Sequence, residues 1–164
     1  GIRETVGDPG CALEVEPGRA LVAEAGILVA RVVHVKETAG GPIVILDAAM
    51  NDLMRPALYD AHHEIAPVVP VPGSAAIRCD VVGPVCESTD TFARGRTLPR
   101  LEAGELVAFR TAGAYGAAMA STYNGRALVP EVLVKGADFA VVRRRFTIVE
   151  QLGLEPPAPW LRAG

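Results

Sequence analysis

Aromatic residues are scarce in this chain of 164 residues: four Phe, three Tyr and one Trp make up 5% of it. A core built almost without rings has to come from aliphatic side chains, and with half of all residues hydrophobic there are enough of them for one ordinary domain. The Val-rich composition favours strands. Lysine is rarer still, with only Lys36 and Lys135, and the formal charge of -3 leaves no broad basic footprint for nucleic acid. Arg143-Arg144-Arg145 is a local cluster that reads as a solvated strand end. Long apolar runs are missing as well. The best candidate, Ile27 to Val35, is interrupted by Arg31 and His34 and falls short of the roughly 18 to 20 residues of a membrane span. No signal-peptide pattern opens the chain, and no membrane association is expected. Cysteine is limited to Cys11, Cys79 and Cys86. An odd number without a C-x-x-C spacing argues against a disulfide framework and a zinc site, so no metal is expected, and reduced thiols fit a cytoplasmic protein.

Glycine and proline are plentiful by contrast, at 17 and 13 residues, and they divide the chain into short apolar segments. Strands are predicted over Ala12 to Glu16, Ile27 to Lys36, Pro42 to Asp47, Ala75 to Val82, Glu105 to Arg110, Pro130 to Val134 and Phe139 to Arg143. The Gly40-Gly41 pair makes the second and third of these a hairpin. Asn51 to Tyr59 reads as a loop with a short helical turn around Pro56, and a Pro-rich connector with Pro67, Pro70 and Pro72 follows it. Thr147 to Leu152 reads as a terminal helix stopped at Gly153, and Glu155 to Pro159 as a stiff, extended tail. Six or seven strands without intervening long helices predict a mainly all-β fold, an antiparallel barrel or sandwich with a few short helices. No internal repeat of about 20 to 50 residues is present.

Chemistry-bearing residues collect in the Gly-bounded loops. In Glu16-Pro17-Gly18-Arg19 the glycine admits an anion close to the main chain and Arg19 can grip a phosphate or carboxylate, although a plain turn with a surface Arg explains the same residues. Arg55 and Tyr59 are four residues apart and share a face on a helical turn, where both could reach one carboxylate. The alternative is a solvated Arg beside a half-buried Tyr. Gly83-Pro84-Val85-Cys86-Glu87-Ser88-Thr89-Asp90 sets a thiol next to a carboxylate: a proton donor and an ammonium binder, or a loop Cys with a surface Glu. Tyr115, in Ala112-Gly113-Ala114-Tyr115-Gly116, could present its hydroxyl to a cleft or fill the barrel. Tyr123-Asn124-Gly125-Arg126 reads as a turn, with Asn-Gly as the signal. Cys79 reads as a buried, inert thiol, and His62 and His63 as surface or packing histidines.

Taken in order, these segments resemble one family. Glu16 to Arg19, Asp47 to Tyr59, Gly83 to Ser88, Ala112 to Gly116 and Glu131 to Val134 match the C-terminal part of the diaminopimelate decarboxylases in order and spacing over about residues 12 to 150. Those are fold type III pyridoxal-phosphate enzymes related to ornithine and arginine decarboxylases and alanine racemase. The resemblance implies that Glu16, Pro17, Gly18 and Arg19 close on the cofactor phosphate, with Tyr115 touching cofactor and substrate. It implies that Arg19, Arg55 and Tyr59 meet the substrate, that Glu87 holds the distal amino end of diaminopimelate, and that Cys86 returns a proton after loss of carbon dioxide. It further implies a homodimer in which the Cys-Glu loop completes the partner's active site, and lysine as the product. The pyridoxal 5'-phosphate would be held by a Schiff-base lysine of an N-terminal (β/α)8 barrel that does not fit in this chain. Residues 1–19 are then expected to end that barrel, 20–153 to form the β domain and 154–164 a Pro-rich tail, with the chain inactive alone. Two other readings remain open: a free-standing β domain for binding or dimerisation, and a decarboxylase of another basic amino acid or a carboxy-polyamine.

Overall fold

The computed structural model describes residues 2–70 and 72–161. Alternating aliphatic segments pair into a six-stranded sheet formed by β1 (Leu28–Lys36), β2 (Ile43–Leu46), β3 (Ile65–Pro67), β4 (Ala76–Val82), β5 (Thr91–Pro99) and β6 (Leu106–Phe109). Its order, β3-β6-β1-β2-β4-β5, curls into a nearly closed barrel. The long strand β1 does double duty. Leu28 to Arg31 pair antiparallel with β6, and Val32 to Lys36 pair antiparallel with β2 across a bulge between Val32 and His34. A bulge bends a strand and adds twist, which lets one strand belong to both halves of a curled sheet. The inward residues meet in one aliphatic core: Val32, Val44, Leu46, Val81 and Val107 are almost completely buried around Phe109. The ring of Phe109 lies 4.6 Å from that of Phe92, centroid to centroid.

Most of the expected elements form, with three corrections. The predicted strand Ala12 to Glu16 is irregular and exposed, because no neighbouring strand among the described residues offers it a ladder. The sheet is not wholly antiparallel. β2 and β4 run parallel, which the long connection 47–75 permits without a covering helix. Among the described residues eight strands form rather than six or seven, since β3 and β5 join the set. β5 carries Arg94, Gly95 and Arg96 in its middle. Gly95 sits at φ +55° against the Arg78 side chain, and its N–H donates to Asp80 Oδ1 at 2.6 Å, so the alternation is broken there by a bulge in the pairing with β4.

Outside the barrel, β7 (Glu131–Lys135) and β8 (Asp138–Arg143) form a separate antiparallel hairpin turned at Gly136, φ +61°. The short helices are α1 (Ile2–Val6), α2 (Gly18–Val22), α3 (Arg55–Tyr59) and α4 (Ile148–Gly153). Thr147 caps α4: its hydroxyl accepts from the Glu150 N–H at 3.2 Å while Glu150 Oε2 accepts from the Thr147 N–H at 2.9 Å. The basic cluster is paired rather than simply solvated. Arg143 bridges Glu131 at 2.7 Å, and Arg144 holds Glu150 through both guanidinium nitrogens. Residues 156–158 of the tail are without helix or strand, and a 3₁₀ turn follows over Pro159–Leu161. Among the described residues no helix is long and apolar enough to cross a membrane.

Candidate active site

Two loop clusters form at one end of the barrel. The first is built by a close approach of two main chains. A β-carbon at Gly26 would stand 2.5 Å from Gly113 Cα, and one at Gly113 would stand 2.0 Å from the Val22 carbonyl oxygen. Only glycine fits at either place, so the Ala112–Gly116 loop lies directly on the residues after α2, tied by Ala112 N–H to Gly26 O at 2.8 Å and Gly113 N–H to Ala23 O at 3.0 Å. The left-handed backbone of Tyr115, φ +60°, then turns its ring towards the start of α2, where a β-carbon on Gly18 would be 3.8 Å from the Tyr115 hydroxyl. From the other side α3 brings Arg55. Its guanidinium carbon lies 5.0 Å from the Tyr115 ring centroid and 5.4 Å from that of Tyr59. Arg55 Nε is buried and has no acceptor among the described residues. Gly18, Arg55, Tyr59 and Tyr115 are thus brought together. Glu16, Pro17 and Arg19 flank them and are exposed.

The second cluster is the loop Gly83 to Asp90. Asp90 is 3% exposed and organises it. One carboxylate oxygen accepts from Val85 N–H at 2.8 Å and the other from Met50 N–H at 2.7 Å, which binds this loop to the Asp47–Asp52 turn. Gly83 is required beside it, since a β-carbon there would collide with the Asp90 carboxylate at 2.3 Å. Burial pushes the Asp90 carboxyl above its ordinary pKa against the pull of those two N–H donors. The loop presents Cys86 exposed, while Cys79 is buried as expected and Cys11 is exposed; none forms a disulfide. Glu87 is held at Oε1 by Thr89 N–H at 3.4 Å and Ser88 Oγ–H at 3.3 Å, and at Oε2 by Tyr123 O–H at 3.4 Å. These neutral donors, the Thr89 N–H first, lower its pKa. Among the described residues no cation pairs with Glu87.

A polar floor joins the clusters. Asn51 and Asp52 are buried, and Asp52 accepts from Ala49 N–H at 2.9 Å. Desolvation raises the Asp52 carboxyl in spite of Arg126, whose Nη2 is 3.4 Å away. Sequence reasoning missed this floor, and the only signal for it is a polar Asn-Asp pair in an otherwise apolar stretch. His63 proves to be a packing residue, with Nδ1 3.0 Å from the Arg110 carbonyl oxygen, whereas His62 is exposed. No hydrogen bond or ion pair among the described residues joins Cys86 or Glu87 to Arg19, Arg55, Tyr59 or Tyr115.

The comparisons with known proteins fall on this same frame. The pyridoxal-dependent decarboxylase C-terminal sheet domain matches residues 14–113. A diaminopimelate decarboxylase of Zymomonas mobilis is 49% identical over 151 residues, which are 92% of this chain and 35% of that protein. Among solved structures, the diaminopimelate decarboxylase of Helicobacter pylori complexed with L-lysine aligns with a TM-score of 0.78 at 44% identity, covering 85% of this chain and 34% of that one. The enzyme of m. jannaschii in complex with L-lysine aligns with a TM-score of 0.84 at 39% identity, covering 88% and 33%. The chain therefore spans about a third of the length of the relatives it matches. The matched residues contain both loop clusters up to Gly113 and every strand of the barrel, and on that ground the chain belongs to the pyridoxal-dependent decarboxylases, as their C-terminal sheet domain.

Proposed function

We propose that this chain is the C-terminal domain of a diaminopimelate decarboxylase, which converts meso-2,6-diaminopimelate to L-lysine and carbon dioxide in the cytoplasm. Residues 20–153 form the sheet domain, 1–19 belong with a barrel that supplies the rest of the site, and 154–164 form a tail. The observation that carries this reading is Arg55, a guanidinium stacked between two tyrosines with a buried Nε that has no acceptor. A buried donor left unmatched is costly, so the place suits a ligand carboxylate, with Tyr59 beside it. Glu87, a carboxylate with neutral donors only, supplies the complementary end for an ammonium group. One site binds an acid and the other an amine, as a diamino diacid requires.

The residues of the first cluster also fit pyridoxal 5'-phosphate. Gly18 leaves the Tyr115 hydroxyl open to an anion, and that hydroxyl has no partner among the described residues. Glu16 to Arg19 and Tyr115 would hold the cofactor, with Arg19 reaching on to the substrate. When bound, the cofactor supplies an electron-accepting ring that makes loss of carbon dioxide from an amino acid feasible. The chain's own part is to bind and to move a proton. Arg55 and Tyr59 orient the substrate carboxylate, Glu87 fixes its far end, and the exposed Cys86 thiol returns a proton to the carbon that has lost carbon dioxide. Lys36 and Lys135 stand exposed at strand ends, outside both clusters, so covalent attachment of the cofactor is assigned to the rest of the protein.

The proposal includes a homodimer whose copies exchange the Cys86–Glu87 loop. The apolar β7–β8 hairpin is then a face for packing against the remainder of the protein. Carbon dioxide release from meso-2,6-diaminopimelate is expected from the complete protein and absent from this chain alone. Substituting Glu87→Asp in the complete protein is expected to change kcat/KM for meso-2,6-diaminopimelate relative to that for ornithine by about tenfold, because the carboxylate retreats by one methylene from the distal amine. An unchanged preference would remove Glu87 as the reader of the distal amine.

A further inference from the structure

The turn Tyr123 to Arg126 has no part in the reaction outlined above, yet it is fastened more firmly than a surface turn needs. Arg126 pins one end: Nε donates to Asn51 Oδ1 at 3.1 Å, and Nη2 donates to the Asp47 carbonyl oxygen at 2.5 Å and lies 3.4 Å from Asp52 Oδ2. Asn51 pins the other, donating from Nδ2 to Ser121 O at 3.0 Å and accepting Ser121 N–H on its carbonyl at 2.9 Å. Between these anchors Asn124 and Gly125 take left-handed backbone, φ +59° and +69°, which folds the turn back on itself. The side chain carried at its tip is Tyr123. Its hydroxyl donates to Glu87 Oε2, the oxygen opposite the one that Ser88 and Thr89 hold.

We infer that Tyr123 is a positioning and specificity-determining residue, whose phenol aligns the Glu87 carboxylate to receive the distal ammonium group of the substrate, with Arg126 as its anchor. The inference rests on the reading of Glu87 given above. A phenol suits this task better than a cation: it donates one proton to the carboxylate without cancelling its charge, and its oxygen can accept from an arriving ammonium. Holding Glu87 from both oxygens fixes the depth at which the carboxylate waits, and so the length of substrate that reaches it. Holding it beforehand also lowers the ordering cost on binding.

The test is a double-mutant cycle in the complete decarboxylase that contains this domain, using Tyr123→Phe, Glu87→Gln and the pair. KM and kcat for meso-2,6-diaminopimelate are measured with the dissociation constant of L-lysine by calorimetry. Tyr123→Phe is expected to raise KM and the lysine dissociation constant about three- to tenfold, the weight of one ordinary hydrogen bond, since this one is long and solvent-exposed, with kcat held within about twofold. In the Glu87→Gln background the same substitution is expected to add less than about twofold. An effect of Tyr123→Phe that is equal in both backgrounds overturns the inference, because the tyrosine then acts independently of Glu87. So does a Tyr123→Phe enzyme unchanged in KM while Glu87→Gln is impaired. If Glu87→Gln itself binds normally, the reading of Glu87 falls first and the inference falls with it. The phenylalanine keeps the half-exposed ring in place, so folding is not at stake.

Discussion

The barrel and the β7–β8 hairpin are made of similar residues and treat them in opposite ways. In the barrel, strand pairing and burial coincide: Val44, Val107 and Phe109 are paired through their backbones and sealed from solvent by their side chains. In the hairpin the backbones pair just as regularly, but Leu133 is 65% exposed, Val134 71% and Phe139 75%. Two strands alone are at best marginal in water. This pair is held by the Arg143–Glu131 bridge and by Arg143 Nη2 donating to the Val129 carbonyl oxygen at 3.1 Å. Pairing and burial are therefore separable. Where a strand pairs without burying, the apolar surface left over marks a face for another partner.

Three measurements press on that contrast. The largest effect is expected from Phe109→Ala, which empties the centre of the barrel and should lower stability by about 3–5 kcal/mol in urea unfolding. A loss below about 1 kcal/mol would mean that the barrel has no single sealed core. Acid should then separate the two regions. In the loops at the end of the barrel, burial raises the carboxyls of Asp52 and Asp90 above 3.8, so the stability they contribute is present below that value and is lost as pH rises through their folded pKa. Next to the hairpin the sign reverses. Glu150 is lowered from 4.5 to about 2, first by Arg144 and then by the Thr147 N–H, so its contribution to the α4 cap is present above 4.5 and is lost as pH falls towards about 2. Following the carboxyl carbons by NMR should give a midpoint near 2 for Glu150 and midpoints above 3.8 for the two aspartates; a Glu150 midpoint of 4.5 would show that the cap does not form. The smallest effect is expected from Phe139→Ala in this chain alone, within about 0.5 kcal/mol. In the complete protein the same substitution should cost more, and an equal cost in both would leave the hairpin without a partner.

Much of this was legible from residues alone. β1, β2, β4, β6 and the hairpin follow from mainly apolar segments between Gly and Pro signals, and their observed edges lie within about a residue of the expected ones. β5 was not legible, because its alternation is interrupted at Arg94-Gly95-Arg96, where the bulge turns side chains out of phase. β3 is three residues ending in Pro67, too short to carry a period. The parallel pairing of β2 with β4 depends on where a long irregular connection leads, which local pattern does not encode. In the site, the approach of Arg55 to Tyr59 was readable as a four-residue spacing on a helical turn. Its stacking on Tyr115 was not, for that depends on two glycines distant in sequence. Asp90 ends the Gly83 to Asp90 loop, yet its role as the tie between two loops emerges only from its burial and its two N–H partners. Tyr123 belongs to the turn that Asn124-Gly125 signals; what it reaches across to is a tertiary fact.

The Gly26–Gly113 contact carries a consequence for how this domain can vary. With 2.5 Å from the place of a missing side chain to the opposite backbone, each position is closed to every other amino acid, however small. The two residues behave as one joint, and the loops on either side of it are free to change only around that pivot. A single methyl group inserted there would act as a wedge, lifting the Tyr115 loop off α2 and parting the hydroxyl from Gly18 without changing either of those residues.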